Sequence, residues 1–421
     1  DDADVMIAMN PAALKVNASG IKKNGVLIID TDSFQKSDLD KAGFTTDNPF
    51  EELNLSDTIQ IIPAALTSLT VASLEGYGLD NKSVVRSKNM FALGLVCWLF
   101  NRPIDQAIHF LQNKFSNKQS ILEANIKVLT DGFNYGHNLH LAVSTYLVDK
   151  SHEVPKGRYT SISGNKATAW GLIAAAQKAG LQLFLGSYPI TPATDIMHEL
   201  TARKDMGVKV VQAEDEIAGI TTAIGASFAG SLAVTNTSGP GLALKSEAIG
   251  LAVMAELPLV IINVMRGGPS TGMPTKTEQT DLLQALYGRN GESPVVVLAA
   301  GTPDDCFHYA YMASKIALEH MTPVILLTDA FIGNGTSLWK LPKLAELPII
   351  TPNYVKPDMA GCKVTARDEV SKVRYWSVPG MEGFGHRNGG LEKDYETGCI
   401  ATDPLNHEKM VNARQAKVDY V

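Results

Sequence analysis

The sequence has 421 residues, of which 45% are hydrophobic and 19% are charged. This is too long for one compact domain, and the composition is that of a globular protein with material for two or three cores. The formal net charge of −7 excludes a strongly basic face for nucleic acid. No apolar run reaches the roughly 20 residues of a membrane helix, so we expect a protein that binds neither nucleic acid nor membrane.

The cysteines lie at long and irregular spacings, at Cys97, Cys306, Cys362 and Cys399. Iron–sulfur clusters and structural zinc sites need closely spaced thiolates, so we predict that this chain holds no metal. Unpaired thiols fit a reducing compartment, and the first residues do not resemble a signal peptide. Both observations predict a cytoplasmic location.

Residues 1–150 alternate short apolar runs with amphipathic stretches, which is typical of a smaller α/β domain. The run 25–30 predicts a buried strand that ends in an aspartate, and residues 89–99 predict an apolar helix. A polar stretch with proline, glycine and hydroxyl residues follows. We therefore place a linker at residues 151–163.

Residues 164–334 have a regular pattern of apolar runs separated by segments of helical length. We predict strands at 183–186, 208–212, 232–236, 259–264, 295–299 and 324–328, and helices at 166–179, 194–203, 216–228, 242–255, 281–287 and 304–320. Continuous Val, Ile and Leu runs that alternate with helices are typical of a doubly wound, mostly parallel α/β sheet covered on both faces. Ligands of such sheets bind at the carboxyl ends of the strands.

Residues 335–421 break this pattern with repeated prolines and closely spaced glycines. We expect an extended connector here that leads to a further domain. The chain also opens directly on an apolar strand-like run. We therefore expect the sequence to be part of a longer protein, with its first domain incomplete at the N-terminus.

The first two loops after predicted strands contain candidate site residues. Thr191 is suited to cap a helix and Pro192 to occupy its first position, where free N–H groups suit a carboxylate. A simple capped turn explains the same residues. In the second loop, Asp215 and Glu216 fit charges at a helix start. Glu214 follows directly on an apolar strand, and we expect it to be partly buried.

The third and fourth loops add a glycine-rich turn and an arginine. Residues 237–241 allow a ligand to approach the backbone closely, but they lack the Walker and GxGxxG signatures. The loop 265–279 offers Arg266, whose planar fork matches a carboxylate, together with several hydroxyl groups. A loop that only contacts solvent does not need an arginine together with several hydroxyl groups. The composition of this loop therefore favours a binding role.

The motifs of these four loops, taken in their order along the chain, resemble those of the alpha subunit of the 2-oxoacid:ferredoxin oxidoreductases, specifically the 2-oxoglutarate type. The matching motifs are YPITP at 188–192, QAE at 212–214, TSGPG at 237–241 and RGGPSTG at 266–272. The resemblance covers about residues 160–421. Residues 1–150 resemble the gamma domain that some members carry ahead of alpha, on the run RSKNMFALG at 86–94, although the usual glycine-rich opening of that domain is missing.

The resemblance implies CoA-dependent oxidative decarboxylation of 2-oxoglutarate to succinyl-CoA and carbon dioxide, or the reverse carboxylation, with electron transfer to ferredoxin. Thiamine diphosphate would lie between this chain and a beta subunit that carries Mg²⁺ and a [4Fe–4S] cluster. Two such alpha–beta units would form a dimer. The sequence fits this division, because it lacks a diphosphate-binding GDG motif and closely spaced cysteines.

The resemblance also implies roles for single residues. Glu214 would hydrogen-bond the aminopyrimidine ring as the catalytic carboxylate, and Thr191, Arg266 and Thr275 would lie near the substrate. Cofactor contacts are implied for Tyr188, Pro189, Ile190, Glu214, Ser238 and Gly239.

Two alternatives stay open at this point. The same chemistry on pyruvate or a branched 2-oxoacid would use the same motifs. A non-catalytic α/β protein that binds a nucleotide or a protein partner would share the fold. The second alternative does not require Glu214 to occur together with Thr191 and Arg266.

Overall fold

A computed structural model describes residues 2–55, 58–139, 145–149, 154–356, 359 and 365–421. The chain divides into two compact units, Asp1–Val154 and Pro155–Val421. The division falls inside the predicted linker at 151–163. Residues 151–153 of that linker and Cys362 lie outside the described residues.

The N-terminal unit is built on a parallel sheet with the strand order β1–β2–β3. Its strands are β1 (Ala3–Ala8), β2 (Ile21–Asp30) and β3 (Gln60–Ala64). Its helices are α1 (Pro11–Asn17), α2 (Lys36–Lys41), α3 (Pro49–Glu52), α4 (Leu66–Ser73), α5 (Asn81–Arg86), α6 (Lys88–Leu99), α7 (Asp105–Lys114) and α8 (Gln119–Asn138). The predicted buried strand and the predicted apolar helix are confirmed as β2 and α6.

Helices α6 and α8 pack closely because glycines lie where they cross. A Cβ atom added at Gly94 would lie 2.1 Å from the carbonyl oxygen of Leu129. One added at Gly132 would lie 2.1 Å from the carbonyl oxygen of Phe91. Because these neighbours are backbone atoms, no side-chain rotation can relieve the clash, and a larger residue must push the helices apart.

We expect Gly94→Ala to lower the free energy of unfolding of the N-terminal unit by about 1–3 kcal/mol, the usual cost of overpacking. Chemical denaturation measures this change. The control is Gly225→Ala, at an exposed helical position where an added Cβ meets none of the described residues within 4 Å. Alanine there should stabilise by about 0.5–1 kcal/mol. A Gly94→Ala protein as stable as the wild type would contradict this packing.

The second unit contains a parallel sheet with the strand order β6–β5–β7–β8–β10–β9. The strands of this unit are β4 (Tyr159–Ser163), β5 (Leu183–Ser187), β6 (Lys209–Gln212), β7 (Leu232–Thr237), β8 (Leu259–Met265), β9 (Val296–Ala299), β10 (Pro323–Asp329) and β11 (Thr336–Lys340). The helices are α9 (Gly164–Ala179), α10 (Thr194–Thr201), α11 (Glu216–Phe228), α12 (Gly239–Leu244), α13 (Ser246–Ala255), α14 (Leu282–Tyr287), α15 (Asp305–His320), α16 (Ala330–Asn334) and α17 (Pro404–Asp419). All six predicted strands occur, and the predicted doubly wound α/β class is confirmed.

Alternate side chains along the central strands pack on opposite faces of this sheet. Val260 and Ile262 of β8 pack with residues of α9 and α15. Leu259 and Ile261 of the same strand pack with residues of α11 and α13. Every side chain of β8 is buried, which explains the unbroken apolar run in the sequence. Since helices cover both faces, a ligand reaches the sheet at the strand ends.

Three segments differ from the prediction. Part of the predicted linker forms β4, which pairs antiparallel with β11. The helix predicted at 242–255 is divided at Lys245 into α12 and α13. The connector predicted to be extended over 335–421 contains β11 and ends in α17. Asp403 caps α17 by accepting a hydrogen bond from the Asn406 N–H, and Pro404 occupies the first turn. This start signal was present in the sequence, but the surrounding prolines and glycines concealed it.

A buried ion cluster fastens α17 to the rest of the second unit. The Glu256 carboxylate is 1% exposed and accepts hydrogen bonds from Lys417 at 2.9 Å and from Arg367 at 3.0 and 3.1 Å. Burial raises the pKa of Glu256, but Lys417, Arg367 and Arg374 outweigh this effect and hold the pKa well below its ordinary value of 4.5. The stabilisation is therefore complete above about pH 4.5 and is lost as the pH falls further.

We expect Glu256→Gln to lower the free energy of unfolding by about 3–5 kcal/mol, because it leaves buried cations without their counter-charge. Denaturant titration at neutral pH measures the loss. The matched control is Glu346→Gln, which removes an ion pair with Lys343 whose side chains are 65% and 79% exposed. That change should cost less than about 1 kcal/mol. Equal effects of the two substitutions would mean that the cluster does not hold α17.

Candidate functional site

The predicted site loops meet at the carboxyl edge of the large sheet. After β5 the chain passes to β6 on one side, whereas after β7 it passes to β8 on the other side. Neighbouring strands whose connections diverge in this way leave a crevice between their ends. Residues 188–193 border the crevice after β5, and residues 238–241 border it after β7.

Arg266 joins the first and fourth loops. It is 7% exposed, and its Nη1 donates to the carbonyl oxygen of Thr191 at 2.7 Å. Its Nη2 donates to the carbonyl oxygen of Thr271 at 3.2 Å. The Nε atom is buried and has no hydrogen-bond partner among the described residues. The structure thus brings Arg266 and Thr191 together, and the bonds that tie them are to backbone carbonyls.

The predicted helix cap at Thr191 is wrong. Helix α10 begins at Thr194, with Ala193 at its cap position. The Thr194 N–H donates to the carbonyl oxygen of Ile190 at 3.0 Å, so residues 191–193 form a turn ahead of the helix. Thr191 is exposed on this turn. The residue types suited a cap, but the chain completes one more turn before the helix starts.

Two buried asparagines hold the rest of this turn. The Asn165 side chain on α9 donates from Nδ2 to the carbonyl oxygen of Pro192 at 3.0 Å. The Asn236 side chain on β7 donates from Nδ2 to the carbonyl oxygen of Ala193 at 2.7 Å. These asparagines are 2% and 1% exposed. Neither was identified from the sequence, because the contacts join residues far apart in the chain.

The acidic run after β6 has one buried carboxylate, and it belongs to Glu216. Asp215 caps α11 by accepting from the Ala218 N–H at 2.7 Å, as expected for a charge at a helix start. Glu214 is exposed, contrary to the expectation of partial burial. Glu216 is 9% exposed, because it is the first residue of the buried stripe of α11, which continues with Gly219, Ile220, Ala223, Ile224 and Ser227. This helical spacing was a signal in the sequence that identifies Glu216.

Glu216 packs against the glycine-rich turn. A Cβ atom added at Gly241 would lie 2.8 Å from Cγ and 3.2 Å from Oε1 of Glu216, and 2.0 Å from Oγ1 of Thr237, so only glycine leaves this space free. Lys245 is fully buried and donates from Nζ to the carbonyl oxygen of Glu216 at 2.7 Å. Burial lowers the pKa of Lys245 to about 8, and the nearby carboxylates of Glu216 and Asp215 oppose this shift.

The other predicted contacts line the same edge in different environments. Ser238 is buried, and its hydroxyl has no hydrogen-bond partner within the described part of the chain. An added Cβ at Gly239 would lie 3.0 Å from the Asp281 carboxylate. Across the crevice, Tyr188 is 37% exposed, and Pro189 and Ile190 are partly buried. Thr275 is exposed on the loop after β8, and its approach to the substrate stays a prediction.

Buried Glu216 and the buried Ser238 hydroxyl, which has no hydrogen-bond partner among the described residues, are suited to the polar edge of a heteroaromatic ring. Partly exposed Tyr188 offers an aromatic surface on the other side. The residues present therefore fit the aminopyrimidine of thiamine diphosphate.

Over the described ranges, no group of three or more His, Cys, Asp or Glu side chains is placed to hold a metal ion. Within the same ranges, no helix is long and apolar enough to cross a membrane.

Two family profiles match the chain in succession. Residues 1–135 match the family described as pyruvate ferredoxin/flavodoxin oxidoreductase. Residues 174–395 match the family described as pyruvate flavodoxin/ferredoxin oxidoreductase, thiamine diphosphate-binding. Together these matches extend over both compact units.

Relatives and a solved structure agree with this assignment. The chain is 49% identical over its whole length to the 2-oxoglutarate oxidoreductase subunit KorA of Mycobacterium tuberculosis, and it spans 64% of that relative. It is 46% identical over 61% of its length to the 2-oxoglutarate synthase subunit KorA of Archaeoglobus fulgidus, and it spans 66% of that relative. The 2-oxoglutarate:ferredoxin oxidoreductase from Magnetococcus marinus, solved with 2-oxoglutarate, coenzyme A and succinyl-CoA bound, superposes with a TM-score of 0.84 at 32% identity, covering 100% of this chain and 68% of that one.

Proposed function

Because the chain belongs to the pyruvate ferredoxin/flavodoxin oxidoreductase family, we propose that it is the part of a 2-oxoacid:ferredoxin oxidoreductase that binds the 2-oxoacid and the aminopyrimidine of thiamine diphosphate. The substrate proposed is 2-oxoglutarate, and the products are succinyl-CoA and carbon dioxide, or the reverse. The observation that carries the proposal is the crevice, which collects buried Glu216, buried Ser238 and Arg266 at one edge of the sheet. The named relatives support the choice of substrate.

Glu216 is the carboxylate that we propose for the aminopyrimidine ring. When bound, thiamine diphosphate supplies the electron sink for the charge that develops as carbon dioxide leaves. A carboxylate shielded from water holds a ring proton more firmly than an exposed one, because its hydrogen bond does not compete with solvent. Glu214, which the sequence resemblance assigns to this role, is exposed in this chain and is the competing candidate.

Arg266 and Thr191 are proposed to hold the 2-oxoacid. A carboxylate that enters a site shielded from water needs a partner for its charge, and the guanidinium is positioned at the crevice. Among the described residues, Arg266 bonds the carbonyls of Thr191 and Thr271, and a substrate carboxylate would replace the longer bond, which is the 3.2 Å bond to Thr271. Thr191, which is exposed beside the arginine, would add a hydroxyl group, and Thr275 would do the same from the loop after β8.

A beta subunit is proposed as the partner that holds the diphosphate, Mg²⁺ and a [4Fe–4S] cluster, with coenzyme A as co-substrate and ferredoxin as electron acceptor. Exposed apolar side chains on α14 and α16, which follow β8 and β10 in the chain, support a covering partner, since Leu283, Tyr287 and Phe331 are 69%, 76% and 73% exposed. Among the described cysteines, Cys306 is buried and suits an inert thiol rather than a cluster ligand. Burial raises the pKa of the Cys306 thiol to about 12. Cys97, Cys306 and Cys399, which are free thiols, also support a cytoplasmic complex.

Cofactor binding by the complete complex tests this proposal. We expect calorimetric titration of the cofactor-depleted complex to give saturable binding of thiamine diphosphate. In Gly241→Ala, binding should weaken by at least about 10-fold, because the added methyl group displaces Glu216, whose charge-assisted bond to the ring is of the stronger kind. Gly225→Ala, at an exposed position, should bind as the wild type does. Equal binding by the Gly241→Ala complex would place the ring elsewhere.

A further inference from the structure

Three successive carbonyl groups of the turn 191–193 each accept a hydrogen bond from a side chain on a different element. Arg266, after β8, holds the carbonyl of Thr191 at 2.7 Å. Asn165 on α9 holds that of Pro192 at 3.0 Å, and Asn236 on β7 holds that of Ala193 at 2.7 Å. The turn is therefore fastened at every residue, to the loop after β8, to helix α9 and to strand β7.

The asparagines are costly residues for this position. Each is at least 98% buried, and the Oδ1 atom of each lacks a hydrogen-bond partner among the described residues. A buried oxygen without a partner destabilises a fold, so packing alone would favour an apolar side chain of similar size. What the amide offers is an N–H donor, which a backbone carbonyl requires and a carboxylate could not supply.

We propose that Asn165 and Asn236 are positioning residues which, together with Arg266, form a carbonyl clamp that fixes the turn 191–193 for the 2-oxoacid. The proposal rests on the proposed function, because Thr191 and Arg266 are the residues assigned there to the substrate. A turn that is already ordered does not lose conformational freedom when the substrate binds, so binding is tighter than it would be to a mobile turn. The clamp acts on the substrate only through the geometry of Thr191 and Arg266.

The test replaces each asparagine by leucine, which preserves size and removes the donor, in the complete complex. Hydrogen–deuterium exchange of the peptide 188–196 without substrate should become about 10-fold faster, the effect of losing one hydrogen bond. The KM for 2-oxoglutarate should rise about 10-fold, with a smaller change in kcat. The matched control is Asn125→Leu, because Asn125 is also buried and donates from Nδ2 to the carbonyl oxygen of Ile121 at 2.7 Å, but it lies in the N-terminal unit.

The clamp would be overturned if the peptide 188–196 exchanged no faster in the Asn165→Leu and Asn236→Leu variants than in the Asn125→Leu control. Faster exchange with an unchanged KM would overturn its positioning role. If the wild-type complex does not turn over 2-oxoacids, the proposed function fails, and the exchange measurement still decides whether the clamp exists. Should a leucine variant fail to fold, Asn236→Ser and Asn165→Ser shorten the donor instead, and the same two readouts apply.

Discussion

Glu216→Gln is expected to lower kcat by about 10²–10⁴-fold, the usual cost of removing a positioned proton-transfer group. Glutamine preserves the size of the side chain and its packing against Gly241, so the chain should remain folded. Its amide oxygen can still accept a hydrogen bond, but it is neutral and cannot take a proton from the cofactor ring as a carboxylate can. Steady-state kinetics of the complete complex, with thermal unfolding as the check on folding, measure both parts of the expectation.

The matched control is Glu214→Gln, two residues away in the same acidic run. Glu214 is exposed, so its replacement should change kcat by less than about threefold, as for a surface charge near a helix start. The opposite order, with a severe loss in Glu214→Gln and a mild one in Glu216→Gln, would return the role to Glu214 as the sequence resemblance assigns it.

Arg266→Lys is expected to lower kcat/KM for 2-oxoglutarate by about 10–100-fold, taking each strong contact as about 1.5–3 kcal/mol. Lysine retains the positive charge, but it lacks the planar fork. A single ammonium group cannot keep the bond to the Thr191 carbonyl while also binding a carboxylate in two-pronged geometry. Initial rates over a range of 2-oxoglutarate concentrations measure the change.

Arg289→Lys provides the control for this substitution. Arg289 also bonds backbone carbonyls, those of Ser293, Ala285 and Leu286, at 2.7–3.0 Å. It follows α14, and the proposed function gives it no role in substrate binding. Its replacement should affect stability and leave kcat/KM unchanged. If Arg266→Lys behaves in the same way, losing stability but no catalytic efficiency, then the substrate is held elsewhere and Arg266 only joins the loops.

The sheet of the second unit was predictable because its strands are buried on both faces. Each strand then reads as a continuous apolar run, as β8 does, and the helices between them have the right length. The N-cap at Asp215 also followed from local chemistry. Helix α17 was missed although Asp403 and Pro404 mark its start, because the composition of the preceding segment suggested an extended chain.

The candidate site could be located from the sequence, but its members could not all be identified. The sequence motifs identify the loops of the site, because each motif follows a strand and the carboxyl ends of these strands lie at one edge of the sheet. The rotation of α11 against the sheet decides which acidic residue is buried. In the sequence, only the spacing of the apolar and small residues from Glu216 to Ser227 indicates this rotation. The asparagines that hold the turn 191–193 depend on contacts between distant parts of the chain, and no local pattern predicts them.

We propose above all that this chain binds 2-oxoglutarate for thiamine-dependent oxidation. The most direct measurement is a panel of 2-oxoglutarate, pyruvate and branched 2-oxoacids, assayed with coenzyme A and a viologen dye as electron acceptor, using the complete complex. We expect the highest kcat/KM for 2-oxoglutarate, succinyl-CoA as the product, and no turnover without thiamine diphosphate. A preference for pyruvate or a branched 2-oxoacid would contradict the proposed substrate, and the absence of turnover with every 2-oxoacid would contradict the proposed function.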